Sequence, residues 1–152
     1  MAFTNTEGRQ ELLYALAGAV DHLALALAAL GDAYEQLDDA TADRLEADLF
    51  GPVQAAYGRA KRTHVQFADR HGQPAAIFAP RTAGVPSTGA KGFVEAAVGA
   101  TRAADSALAA LQDSMLPVEV GDAELRAELT QVREGLGDVP VRARELLRTL
   151  GR

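Results

Sequence analysis

The chain has 152 residues, 48% of them hydrophobic and 24% charged, with a net charge of -6; this is globular composition, too apolar for a disordered tail and too charged for an integral membrane protein. It contains no cysteine, which excludes disulfides, thiol chemistry and cysteine-held metals, and the acidic balance disfavours nonspecific binding to DNA or an anionic membrane. The length predicts one domain over 1–152 with a core large enough to stand unaided.

Charge is uneven along the chain. Residues 1–50 carry ten acids against two arginines, and the remainder eleven acids against thirteen bases, so the first third is the acidic part. Lysine occurs only at Lys61 and Lys91; with the abundant alanine this reads as the coding bias of a GC-rich bacterial genome.

The first segment, Leu12 to Gly31, is long enough to cross a bilayer. Asp21 and His22 stand at its centre, where an aspartate costs about 2.5–3.5 kcal/mol on insertion scales, and the opening Met1–Glu7 lacks the basic start of a signal peptide. A core helix of a cytoplasmic protein is expected instead. Leu13, Leu16, Val20, Leu23, Leu27, Leu30, Tyr34 and Leu37 alternate by three and four residues, the seam of a left-handed bundle, and predict a helix over about 6–38.

Three further seams follow in order. Phe50, Val53, Tyr57, Ala60, His64, Phe67 and His71 predict a helix over about 42–71, bent at Gly51–Pro52. Val94, Ala97, Thr101, Ala104, Leu108, Leu111 and Met115 predict one over about 88–116. Leu125, Leu129, Val132, Leu136, Val139, Ala143, Leu146 and Leu150 predict one over about 122–150, kinked or briefly interrupted between Gly135 and Pro140. Expected caps are Asp39 or Thr41, Ser87 or Thr88, and Asp122, with Gly72 and Pro117 just past helix ends.

Together these predict an all-α fold, a single antiparallel four-helix bundle. The loop 72–87 sets two topologies against each other. Extended, it reaches about 53 Å at about 3.3 Å per residue, whereas a 30-residue helix is about 45 Å long. Up-down-up-down order and a ferritin-like crossover are therefore both open, with Ile77 and Phe78 expected to pin the loop.

The ferritin-like order raises di-iron chemistry, which needs inward carboxylates and Glu-x-x-His pairs. Neither pattern is present, and no metal or cofactor is expected. His64 and His71 lie about 10 Å apart along one face, too far to share a metal. Residues 51–100 contain no leucine, so small residues facing across the core could leave a pocket, with Tyr57, His64 and Thr101 as its polar contacts.

Arg59 and His64 form an Arg-x4-His pair that resembles the signature of HEPN-family ribonucleases, which are small helical bundles that often dimerise. The resemblance covers six residues and implies that Arg59 contacts phosphate while His64 assists RNA cleavage. Farther along, Gly84–Lys91 has the look of a phosphate loop, but Ala90 separates glycine from lysine and no strand precedes it; helix capping is the simpler account.

Surface patterning points to partners. Tyr14, Gly18, His22, Leu25 and Ala29 fall opposite the first seam, giving a helix apolar nearly all round that must bury its second face against the loop or another molecule. A two-fold homodimer through this helix is expected, and another protein partner could use the same face. The acids between Asp32 and Asp48 lack calcium-loop spacing and read as a solvated helix end. The sequence therefore favours a non-enzymatic bundle acting through protein contacts; alternatives are a small-molecule binder and a HEPN-like ribonuclease.

Overall fold

The computed structural model describes residues 2–83 and 89–150, and among them every regular element is helical, with no strand. In chain order these are α1 (Ala2–Glu35), α2 (Asp39–Leu45), a π-turn (Glu46–Phe50), α3 (Gly51–Arg70), α4 (Gly89–Asp113), the single turn α5 (Leu116–Glu119), α6 (Ala123–Leu136) and α7 (Val139–Leu150). Four long helical stretches result: α1, α2 through α3, α4, and α6 with α7.

The seams are the core. Leu13, Leu16, Val20, Leu23 and Leu30 are buried on α1, Val53, Ala60 and Phe67 on α3, Val94, Ala97, Ala104, Leu108 and Leu111 on α4, and Leu125, Leu129, Val132, Leu136, Val139, Ala143 and Leu146 on the last pair. Two seam members fail: Tyr34, near the end of α1, is 41% exposed, and Met115 lies half exposed with φ at 71°, the left-handed residue that follows α4. Helix α1 also buries a second stripe, Leu12, Ala19, Ala26 and Ala33, each 0% exposed. The seven-residue spacing keeps this stripe on one side. Three alanines in it allow close approach by a neighbour, and α1 packs most extensively on α4, with α3 on another side. That double packing absorbs most of the all-round apolarity of α1 and encloses Ala29, expected at an interface, within the core.

Where a bend is expected at Gly51–Pro52, the helix carries a π-turn just before it. The Gly51 amide donates to the Glu46 carbonyl, five residues back, while Leu45, Glu46, Phe50 and Gly51 all keep right-handed helical angles. Pro52 has no amide for the carbonyl four residues before it, and its ring crowds that carbonyl; one widened turn accommodates both problems without breaking the helix.

Helix ends follow local chemistry. Asp38, not Asp39 or Thr41, caps α2, its Oδ1 accepting from the Thr41 amide at 2.8 Å. Helix α3 closes in a Schellman motif: Gln73 N–H donates to Ala68 O at 2.8 Å and Gly72 N–H to Asp69 O at 3.3 Å, with Gly72 at φ +65° where a side chain would be strained. Asp122 caps α6 as expected. The interruption between α6 and α7 falls at Gly137–Asp138. The capping expected of Ser87 or Thr88 lies outside the described residues.

Contacts at the ends fix what lies beside what. Gln10 Nε2 donates to Gln73 Oε1 at 3.4 Å, and Arg9 Nε to the Val120 carbonyl at 3.1 Å, so the ends of α3 and α5 both lie by the start of α1. At the other end of α1, a Cβ on Gly89 would stand 3.2 Å from Gln36 Oε1, so α4 begins there. Between the two, Arg81 pairs with Asp21 of α1 at 2.9 Å.

Candidate functional site

His64 is the most deeply enclosed titratable side chain described, 1% exposed. Its Nε2 accepts a hydrogen bond from the Ala76 amide at 3.0 Å, and the Phe78 ring meets it edge to face with centroids 5.1 Å apart. Since Nε2 is an acceptor, the proton of the neutral ring belongs on Nδ1. Nδ1 is buried without a hydrogen bond of good geometry. Burial pushes the imidazole below its ordinary value, opposed by the nearby Leu13 carbonyl. The ring therefore ties the segment after α3 down onto α1 as a neutral group. Phe78 pins that segment as expected, whereas Ile77 is 97% exposed and does not.

Arg59 does not join His64. Five residues on a helix turn the two side chains about 140° apart: Arg59 reaches α6, where its guanidinium meets Glu128 Oε2 at 2.9 Å, while His64 faces α1. An Arg–His pair that must converge on one phosphate is thus not assembled within this chain, and the Nε2 that would exchange a proton is engaged by Ala76.

The pocket expected among Tyr57, His64 and Thr101 is also divided. His64 lines a groove of about 340 Å³ with Leu13, Tyr14 and Pro74. Tyr57 lines one on the outer side of α3 with Lys61, whose Nζ stands 5.9 Å over its ring. Thr101 is buried, its hydroxyl donating to Ala97 O at 2.8 Å, and it edges a groove of about 580 Å³ between α4 and the α6–α7 break. The reason is packing: α1 and the last helical pair are the main neighbours of α3 and α4, which do not pack extensively on each other.

Two polar junctions escaped the sequence reading. At the first, Asp122 accepts from Arg70 twice, at 2.9 and 3.0 Å, from the Leu125 amide at 2.7 Å, and lies 2.9 Å from His71 Nε2. Burial opposes ionisation of this carboxyl, but Arg70, the Leu125 amide and His71 hold it well below the usual carboxylate range. His71 thus bonds across to the residue that caps α6. At the second, Arg133 of α6 donates to both oxygens of Asp105 on α4, at 2.9 and 3.3 Å, and to Gln112 at 2.9 Å. Only the cap signal of Asp122 was visible beforehand; the partners come from elements remote in the chain. Among the described residues no three acidic or imidazole side chains gather to hold a metal.

Of the residues expected at a dimer interface, Tyr14 is 83% exposed, Gly18 is exposed with open space where a Cβ would sit, and His22 and Leu25 are partly buried. Ala29 is buried. Tyr14 lines one groove with Pro74, Ala75 and Ala76, so α1 and the segment after α3 adjoin there, and the exposed Ile77 is next in the chain. In comparisons with protein families, curated proteins and solved structures, the chain matches none.

Proposed function

We propose that this chain is a non-enzymatic helical bundle that works through protein contacts and self-associates through the outer stripe of α1 and the adjoining Ile77. The observation that carries it is the exposure of two large apolar side chains, Tyr14 at 83% and Ile77 at 97%, with Tyr14 beside the Pro74–Ala76 stretch that leads into Ile77. Burying two such side chains is worth roughly 1.5–3 kcal/mol each, and a self-complementary patch closes most simply on a two-fold axis. An antiparallel α1 pair centred between Ala19 and Val20 lays each Tyr14 on the partner subunit's Leu25, with Gly18 allowing the backbones to approach. The same reading takes α1 as a core helix of a cytoplasmic protein: although it is long and apolar enough to span a membrane, Leu12, Leu16, Leu23 and Leu30 are enclosed by the rest of the chain.

The reading also takes the four long stretches as an antiparallel four-helix bundle with a ferritin-like crossover. Support comes from the placement of Gln73 and Val120 beside the start of α1 and of Gly89 beside its end, which lets α3 and α4 run the same way. In sedimentation at micromolar concentration the protein is expected to be a dimer, and Tyr14→Glu with Ile77→Glu to be a monomer of unchanged helicity. A monomeric wild type would overturn the proposal.

A further inference from the structure

The groove between α4 and α7 presents two guanidinium groups that the fold does not use. Arg102 and Arg144 both line it, and among the described residues neither holds an ion pair or a hydrogen bond. Arg59, Arg70, Arg81 and Arg133, by contrast, are each matched to a carboxylate. Arg102 and Arg144 are both exposed, and two like charges along one groove raise its local potential. Glu95 is the one carboxylate lining the groove, which leaves it net positive on a protein of charge -6.

The walls between the arginines are apolar. Val98, Pro140 and Leu147 supply them, and a Cβ at Gly99 would meet nothing within 4 Å, so the floor is open there. The interruption at Gly137–Asp138 brings Pro140 and Arg102 to line both this groove and the larger one beside Thr101. Its volume of about 310 Å³ sits at the small end of ligand sites, where apolar walls and a few charged groups share recognition. A polyanion would be repelled by the acidic molecule as a whole; a small monoanion feels mainly the local pair.

We propose that this groove binds a small organic acid, a carboxylate on a short hydrocarbon body, with Arg102 and Arg144 holding the carboxylate and Val98, Pro140 and Leu147 covering the hydrocarbon. The site is separate from the Tyr14 and Ile77 surface and does not depend on it.

Titration followed by amide resonances, with octanoate as the probe, tests this. Octanoate is expected to shift Gly99, Arg102 and Arg144, while acetate, which lacks the body, and 1-octanol, which lacks the charge, bind at least tenfold more weakly. Arg102→Gln with Arg144→Gln is expected to weaken octanoate at least tenfold without lowering the melting temperature of the free protein, since no ion pair is lost; Arg44→Gln leaves binding unchanged. Equal binding of octanol and octanoate by the wild type, octanoate shifts confined to Tyr14 and Ile77, or full affinity in the double variant would each overturn the proposal. The comparison of probes on the wild type decides the matter even if the double variant misfolds.

Discussion

Asp122 shows how much one side chain can organise. It caps α6 through the Leu125 amide and clamps the last turn of α3 through Arg70 and His71. Because its native carboxyl is held below the ordinary range, it is ionised more readily folded than unfolded. That contribution is complete above the unfolded value, near 3.9, and is lost as pH falls through the lower native one. Asp122→Asn keeps the cap but loses the charge, and is expected to cost about 1 kcal/mol at pH 7, as befits a partly exposed pair. The gap to wild type should close as pH drops below about 4, measured by urea denaturation. Asp122→Ala should cost a further ~1 kcal/mol for the missing cap. The cap was readable from the spacing of Asp122 before Leu125; the clamp was not, because nothing local marks Arg70 as its partner. Arg59 illustrates the converse, since its spacing to His64 is visible in sequence while its turn toward Glu128 depends on where α6 lies.

At the level of elements, hydrophobic spacing located all four long stretches, because leucine and valine at three and four residues speak plainly. It did not reveal the second stripe of α1, where alanine at Ala19, Ala26 and Ala33 carries little signal although each is wholly buried. Proline behaved in two ways. Pro52 lies inside a continuing helix and is relieved by a widened turn. Pro140 lies in the first turn of α7, where its missing amide would have had no partner. Pro140→Ala is therefore expected to change stability by less than about 1 kcal/mol rather than to remove the roughly 3 kcal/mol burden of an interior proline. Thermal unfolding checks this, and a large gain in melting temperature would mean that α6 and α7 strain against a single continuous helix.

For the whole molecule, periodicity could say which faces are buried but not which way neighbouring helices run, since a seam looks the same from either end. The proposed directions rest on polar and close contacts instead: Arg9 with Val120, Gln10 with Gln73, Gln36 with Gly89. The candidate residues scattered for the same reason: His64 faces α1, Thr101 edges the groove at the α6–α7 break, and Tyr57 lies on the outer side of α3. The segment after α3 is exposed, non-helical through Arg81 and fastened at His64, Phe78 and Asp21. Trypsin is expected to cut first after Arg81, and His64→Ala to speed that cut several-fold by freeing Ala76 and Phe78. First cleavage within α1 or α3 would contradict this.

The most extensive packing in the protein joins α1 to α4, which lie on opposite sides of Arg81 in the sequence. Covalent continuity between the two halves is therefore not what keeps them together. A chain nicked after Arg81 should run as one particle through gel filtration, and its two pieces, expressed apart, should find each other and rebuild the same core, which would make this small protein a natural split pair.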